Sequence, residues 1–155
     1  GEQHRLTGAH IAAIRFGLGV DLDIELPGTR RGLVPTREWR EAQGRGWALG
    51  IQHPRDAQAS IAGIELKSGA LTTSGDYERY IDIAGTRYCH ILDPRSGWPV
   101  RHWQSVSVVA PLCIAAGALA TIAMLIGEGA PAFLDAQGVG WLAVDGAGQL
   151  HRGAR

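Results

Sequence analysis

Apolar and polar positions alternate strictly over residues 20–26, VDLDIEL, with Val20, Leu22, Ile24 and Leu26 on one side and Asp21, Asp23 and Glu25 on the other. A period of two sends successive side chains to opposite faces, so the segment predicts a half-buried strand. Residues 9–18 before it carry a weak helical pattern, and residues 27–46 after it are polar, arginine-rich and broken by Gly and Pro, which predicts a long polar loop. From Trp47 onward the pattern is one of short strands: WALGIQ, a turn at HPRD, then SIAGIEL and ALTT. IDI and RYCHIL flank Ala84-Gly85-Thr86, and a glycine there supplies the positive φ of a short hairpin. SVSVVA at 105–110 alternates again. Residues 112–126 form one strong apolar helix, which reads as buried, and Pro131 to Gln137 can add a second. GWLAV, Asp145-Gly146 and GQLH predict a last hairpin. Strands with one strongly apolar central helix against them define an α+β fold with a mostly antiparallel sheet.

Length and composition narrow the function classes. At 155 residues and 16.5 kDa the chain suits a single domain, residues 1–155, with its own core. Fifteen basic residues balance fifteen acidic ones, which argues against nucleic acid or an anionic membrane as the main partner. The arginines of the 27–46 loop are diluted by Glu38 and Glu41 and read as solvated surface. Lys67 is the only lysine, so Schiff-base chemistry is confined to that position. Cys89 and Cys113 stand in no CxxC pattern and read as buried free thiols, too few for a zinc site. The start, GEQHRLTG, shows neither a basic n-region nor an apolar h-region, and Leu112 to Ile126 is too short to span a bilayer. The compartment stays open.

Three stretches concentrate useful side chains. In TTSGDYERY, residues 72–80, Gly75 and Asp76 fit a tight turn, while Thr73, Ser74, Asp76 and Tyr77 equally fit a cluster of donors and acceptors around a ligand. In RYCHILDPRSGWPV, residues 87–100, Asp93-Pro94-Arg95-Ser96-Gly97 fits a turn. His90 there ends a strand, from which an imidazole can reach a cleft and accept a proton near neutral pH. In the apolar helix, Thr121 is the one strong side-chain oxygen and Gly117 lies four residues before it on the same face. Thr121 can simply bond a carbonyl one turn back, and Gly117 wants a packing reason or marks a lost side chain.

Taken in order, TSGDYERY, YCHILDPRSGWPV, SVSVVAP and the AGALAT helix resemble the FAD:protein FMN transferases, the ApbE-like flavin transferases. The resemblance is strongest from Thr73 to Gly97 and implies an ApbE-like, T-fold-like domain of which this chain looks like a truncated C-terminal portion. It implies Mg²⁺-dependent cleavage of the FAD pyrophosphate, with FMN passed to a threonine of a target flavoprotein. On the matching positions His90 looks like the base, Ile91 and Leu92 look like flavin-nucleotide contacts beside Ser74, Asp76 and Tyr77, and Thr121 looks like an oxygen ligand of the metal. Two departures stand out. Gly117 takes the place of the aspartate that the family helix presents four residues before the threonine, which weakens the Mg²⁺ site; Asp23-Ile24 stands where the family tends to have Gly-Gly. A degenerate flavin-nucleotide-binding or interaction module, or an inactive gene fragment, is the alternative. The implied partners are the target flavoprotein and either a second copy or another chain supplying the missing half. Members of the family often act outside the cytoplasm.

Overall fold

β6, Trp103–Ala110, is the strand on which the rest of the fold is hung. In the computed structural model, which describes residues 46–153, it is an inner strand of a four-stranded antiparallel sheet of order β3-β6-β7-β8. Contacts divide the chain into two units, Gly1–Arg45 and Gly46–Arg155. The expected helix at 9–18, strand at 20–26 and loop at 27–46 lie outside the described residues, apart from Gly46.

β1 (Trp47–His53) and β2 (Asp56–Leu66) pair as a separate antiparallel hairpin that turns at Pro54-Arg55. β2 starts at Asp56, ahead of the expected SIAGIEL: Asp56 pairs with His53, while the register shifts at Ile51/Gln52 and Gln52/His53 pass over residues 57–59, which bulge out of the pairing. β3 (Ala70–Gly75) runs along the edge of the main sheet, with Ser74 opposite Val106. β4 (Tyr80–Ile83) and β5 (Thr86–Cys89) form a second isolated hairpin. Its two-residue turn places both Ala84 (φ 49°) and Gly85 (φ 76°) at positive φ, the geometry whose twist matches the flanking strands.

After β6 the chain enters α1, Cys113–Ile126, a run of Ala, Leu, Ile and Met that favours helix. Gly127 ends it at φ 69°, its N–H returning to the Ala123 carbonyl. A short 3₁₀ turn leads to α2 (Ala130–Ala136), then β7 (Gly140–Asp145) and β8 (Leu150–Arg152) close the sheet. The expected second helix and last hairpin are both present, and the α+β antiparallel reading holds.

The core is the contact between α1 and the sheet. Ala116, Ala120, Ala123 and Met124 pack on Val106, Val108 and Ala143, all essentially inaccessible to water. Three alanines on that face let the helix backbone approach the sheet closely. Trp103 ties the same layer to the helix end by donating its Nε1–H to the Gly127 carbonyl at 2.7 Å. Two expectations need correction here. The apolar helix is buried on one side only: Leu112, Ile114, Ile122 and Ile126 are exposed, because a helix beside a single sheet can bury only one stripe. Cys89 is a buried free thiol, but Cys113, in the first turn of α1, is exposed. Cys113–Ala136 taken together is also long and apolar enough to cross a membrane by length and composition, which the shorter 112–126 segment is not. Its inner stripe is nonetheless packed on β6.

Candidate functional site

The end of β3 and the middle of α1 meet where two hydroxyls face each other. Ser74 shares the helix-facing side of the sheet with its register partner Val106, and its Oγ lies 2.9 Å from Thr121 Oγ1. Thr121 therefore bonds across to the strand. Beside this pair opens a cleft of about 480 Å³. Thr73, Ser74 and Gly75 form its sheet side, Tyr77, Glu78 and Arg79 follow, and Thr121 and Leu125 close the helix side. His90, Ile91 and Leu92 complete it.

His90 reaches the cleft through the β4–β5 ladder. The pairing Tyr80–Cys89 continues one step, so Arg79 and His90 stand opposite each other, with the His90 N–H donating to the Arg79 carbonyl at 3.0 Å. The same carbonyl is 3.2 Å from His90 Nδ1. A carbonyl can only accept, so Nδ1 carries the hydrogen in that bond. In the neutral ring Nε2 is then the basic nitrogen, with its lone pair unused by this contact. Further along, the Val100 N–H donates to the Ile91 carbonyl at 3.0 Å and closes a loop. At its tip the Gly97 N–H meets the Asp93 carbonyl at 2.7 Å, as the DPRSG sequence predicts. Arg95 bonds both carboxylate oxygens of Asp93 and holds that carboxyl below its usual range. This closed loop fixes Ile91 and Leu92 at the cleft.

Tyr77 lies directly against Gly75, and any Cβ there would collide with the Tyr77 ring. Burial, reinforced by the charges of Glu78 and Asp76, pushes the Tyr77 phenol above its ordinary range. The phenol therefore stays protonated and can serve as a donor.

Ser74, Tyr77, His90, Ile91, Leu92 and Thr121, each expected at a site, line this one cleft. Asp76 does not. Its carboxylate accepts two hydrogen bonds from Arg55, at 2.6 and 2.7 Å, and is turned toward the β1–β2 hairpin. The lining residues not anticipated are Gly75, Glu78, Arg79 and Leu125. Glu78 and Arg79 stand inside the TTSGDYERY string, and Leu125 follows Thr121 by four positions on one helix face, so a signal for each was present.

The described residues do not make a Mg²⁺ site by themselves: the one carboxylate among those lining the cleft, Glu78, makes no hydrogen bond to the Ser74–Thr121 pair. Two neutral hydroxyls, already bonded to each other, are hard oxygen donors without charge, whereas Mg²⁺ is usually held by one or two carboxylates. Gly117 contributes none, although nothing stands within 4 Å of where its Cβ would be. Among the described residues no group of three or more His, Cys, Asp or Glu side chains converges.

An antiparallel sheet crossed by one helix, with an imidazole and a hydroxyl pair sharing a cleft at the sheet edge, defines the class of domain. The sequence model of the ApbE family matches residues 32–142. The chain belongs to the ApbE family. It is 35% identical over 88 residues to the FAD:protein FMN transferase of Salmonella typhimurium, covering 56% of this chain and 25% of that protein. The FAD:protein FMN transferase of Vibrio cholerae is 37% identical over 108 residues, covering 68% of this chain and 29% of that protein. Among solved structures, the ApbE protein of Thermotoga maritima superposes with a TM-score of 0.65 at 38% identity, over 70% of this chain and 36% of that one. The chain thus spans about a quarter of the length of the curated relatives it matches.

Proposed function

We propose that the cleft takes FAD as a substrate and that the domain serves transfer of FMN from FAD to a threonine hydroxyl of a target flavoprotein. The observation that carries this is the shared cleft of His90, Ser74 and Thr121, walled on its apolar side by Ile91, Leu92 and Leu125. Apolar side chains there cover the flavin, and the hydroxyls and Arg79 meet phosphate oxygens. In the transfer, the threonine oxygen attacks the phosphorus on the FMN side of the pyrophosphate. The bond from that phosphorus to the bridging oxygen breaks, and AMP leaves with the electron pair. The threonine proton passes to His90 Nε2, the ring nitrogen left free by the Nδ1–H bond to the Arg79 carbonyl. The Arg79 guanidinium offsets negative charge at the pyrophosphate. With Gly117 in the helix, the hydroxyl pair has no helix carboxylate one turn away to help hold Mg²⁺.

Gly117 also favours a second reading, a module that holds flavin nucleotide without turnover. Incubation with FAD, Mg²⁺ and a threonine-bearing flavoprotein subunit separates the two. A covalent FMN adduct by mass spectrometry, with equimolar AMP, supports transfer; FAD binding with neither product supports the binding module. Absence of FAD binding would overturn both.

A further inference from the structure

Asp76 stands between two residues of the cleft wall, Gly75 and Tyr77, yet its own side chain serves a different contact. Arg55, at the tip of the β1–β2 hairpin, donates Nη1–H to Asp76 Oδ1 at 2.6 Å and Nη2–H to Oδ2 at 2.7 Å. The guanidinium is fixed at its own end too, since Nη1 also donates to the Pro54 carbonyl at 3.0 Å and the Arg55 N–H donates to His53 Nδ1 at 3.1 Å. On the other side, the Asp76 N–H donates to the Gln104 carbonyl of β6 at 2.9 Å. The carboxylate is only 14% exposed. A forked pair of this kind fixes direction as well as distance, unlike a loose surface ion pair. Asp76 holds Arg55 charged beyond its ordinary range.

Tyr77 and Glu78, the next two residues, border two hollows at once. One is the cleft; the other, about 290 Å³, lies under the hairpin tip and is bordered by His53, Arg55 and Arg87. Tyr77-Glu78 is therefore a partition, and the segment that carries it is tied down on one side by a main-chain bond to β6 and on the other by Arg55.

We propose that Arg55 and Asp76 are a positioning pair, by which the β1–β2 hairpin holds the Tyr77-Glu78 partition in place and sets the shape of the nucleotide cleft. The consequence for nucleotide rests on the reading that the cleft takes FAD; the consequence for the partition does not. Neither residue touches the reacting atoms. With Arg55 removed, Asp76 is a shielded carboxylate without a partner and the turn must move to hydrate it.

The test combines hydrogen–deuterium exchange over residues 75–79 with FAD titration, on the full chain and on Arg55→Ala, Asp76→Asn and the double variant. Exchange over 75–79 is expected to rise about tenfold in each single variant while residues 105–110 stay protected. FAD affinity is expected to fall about fivefold to tenfold, with the double variant no weaker than either single one, as for two groups acting as a unit. Arg55→Lys restores charge but not the fork, and should recover only part of the affinity. Asp145→Asn, which alters a different carboxylate contact outside the cleft, the one to His151, should lower the melting temperature and leave FAD affinity alone. Unchanged exchange over 75–79 in Arg55→Ala overturns the proposal, as does a loss of affinity that Asp145→Asn reproduces. Should Arg55→Ala fail to fold, Arg55→Lys carries the same comparison. Should the unmodified chain bind no FAD, the nucleotide reading fails, and exchange over 75–79 still decides the positioning pair.

Discussion

The Oγ of Ser74 and the Oγ1 of Thr121, 47 positions apart in the chain, lie within 2.9 Å of each other at the seam of β3 and α1. The contact depends on the antiparallel register that sets Ser74 opposite Val106 and on the alanine-lined face that brings α1 close to the sheet. The hydroxyl pair borders the cleft and water can reach it, so its structural contribution is small. Thr121→Val should cost about 1 kcal/mol or less, in the range of one net hydrogen bond, when measured by denaturant unfolding. The same change should weaken FAD binding more than it weakens the fold.

Gly117 sits in the body of α1 with open space where a side chain would project. Gly117→Ala should therefore stabilise the domain by about 0.5–1 kcal/mol, read as a rise in melting temperature. Gly117→Asp should be tolerated for the same steric reason and should raise Mg²⁺ affinity in calorimetry, because it adds a carboxylate one turn from Thr121. A Gly117→Asp protein with unchanged affinity would detach Thr121 from metal binding.

Much of the fold could be read from the chain. Alternation in SVSVVA and the apolar run after Pro111 locate the strand and the helix that make the core. Ala84-Gly85 and Asp93 to Gly97 carry turn chemistry that acts within a few residues, so sequence alone places them. Asp76 shows the opposite case. The destination of its carboxylate is set by an arginine 21 residues earlier, on a hairpin whose approach no local pattern encodes. Cys113 and Ile114 are apolar enough to look buried, and only the presence of a single covering sheet leaves them exposed. The cleft was legible in its motif residues, while Leu125 joins it through helix geometry that only the Ser74–Thr121 contact orients.

The two thiols should separate by reactivity. Under native conditions an alkylating reagent should modify Cys113 alone, with Cys89 reacting only after unfolding. Intact-mass measurement should show one adduct before denaturant and two after it.

Core packing makes a larger prediction. Met124 is fully buried against β6, and Met124→Ala should cost about 2–5 kcal/mol in unfolding free energy through lost burial and the cavity left behind.

The last hairpin supplies a pH dependence. Asp145 accepts from His151 Nε2 at 2.8 Å and from the Gln149 and Ala147 N–H groups at 2.8 and 2.9 Å, which together hold its carboxyl below the ordinary range. A carboxyl lowered on folding contributes stability that is fully present above its unfolded value, about 3.9, and is lost as pH falls through the lower folded value. Unfolding free energy of the unmodified protein should therefore drop on acidification below that range. Asp145→Asn should show a shallower drop across the same interval.

The central claim is that the cleft bordered by Ser74, His90 and Thr121 is where flavin nucleotide binds. Amide chemical-shift mapping during an FMN titration addresses it most directly. The expected result is saturable movement of the Gly75, Tyr77, His90 and Leu92 signals, with the β7–β8 hairpin unaffected. Shifts confined to that hairpin, or none at saturating FMN, would contradict it.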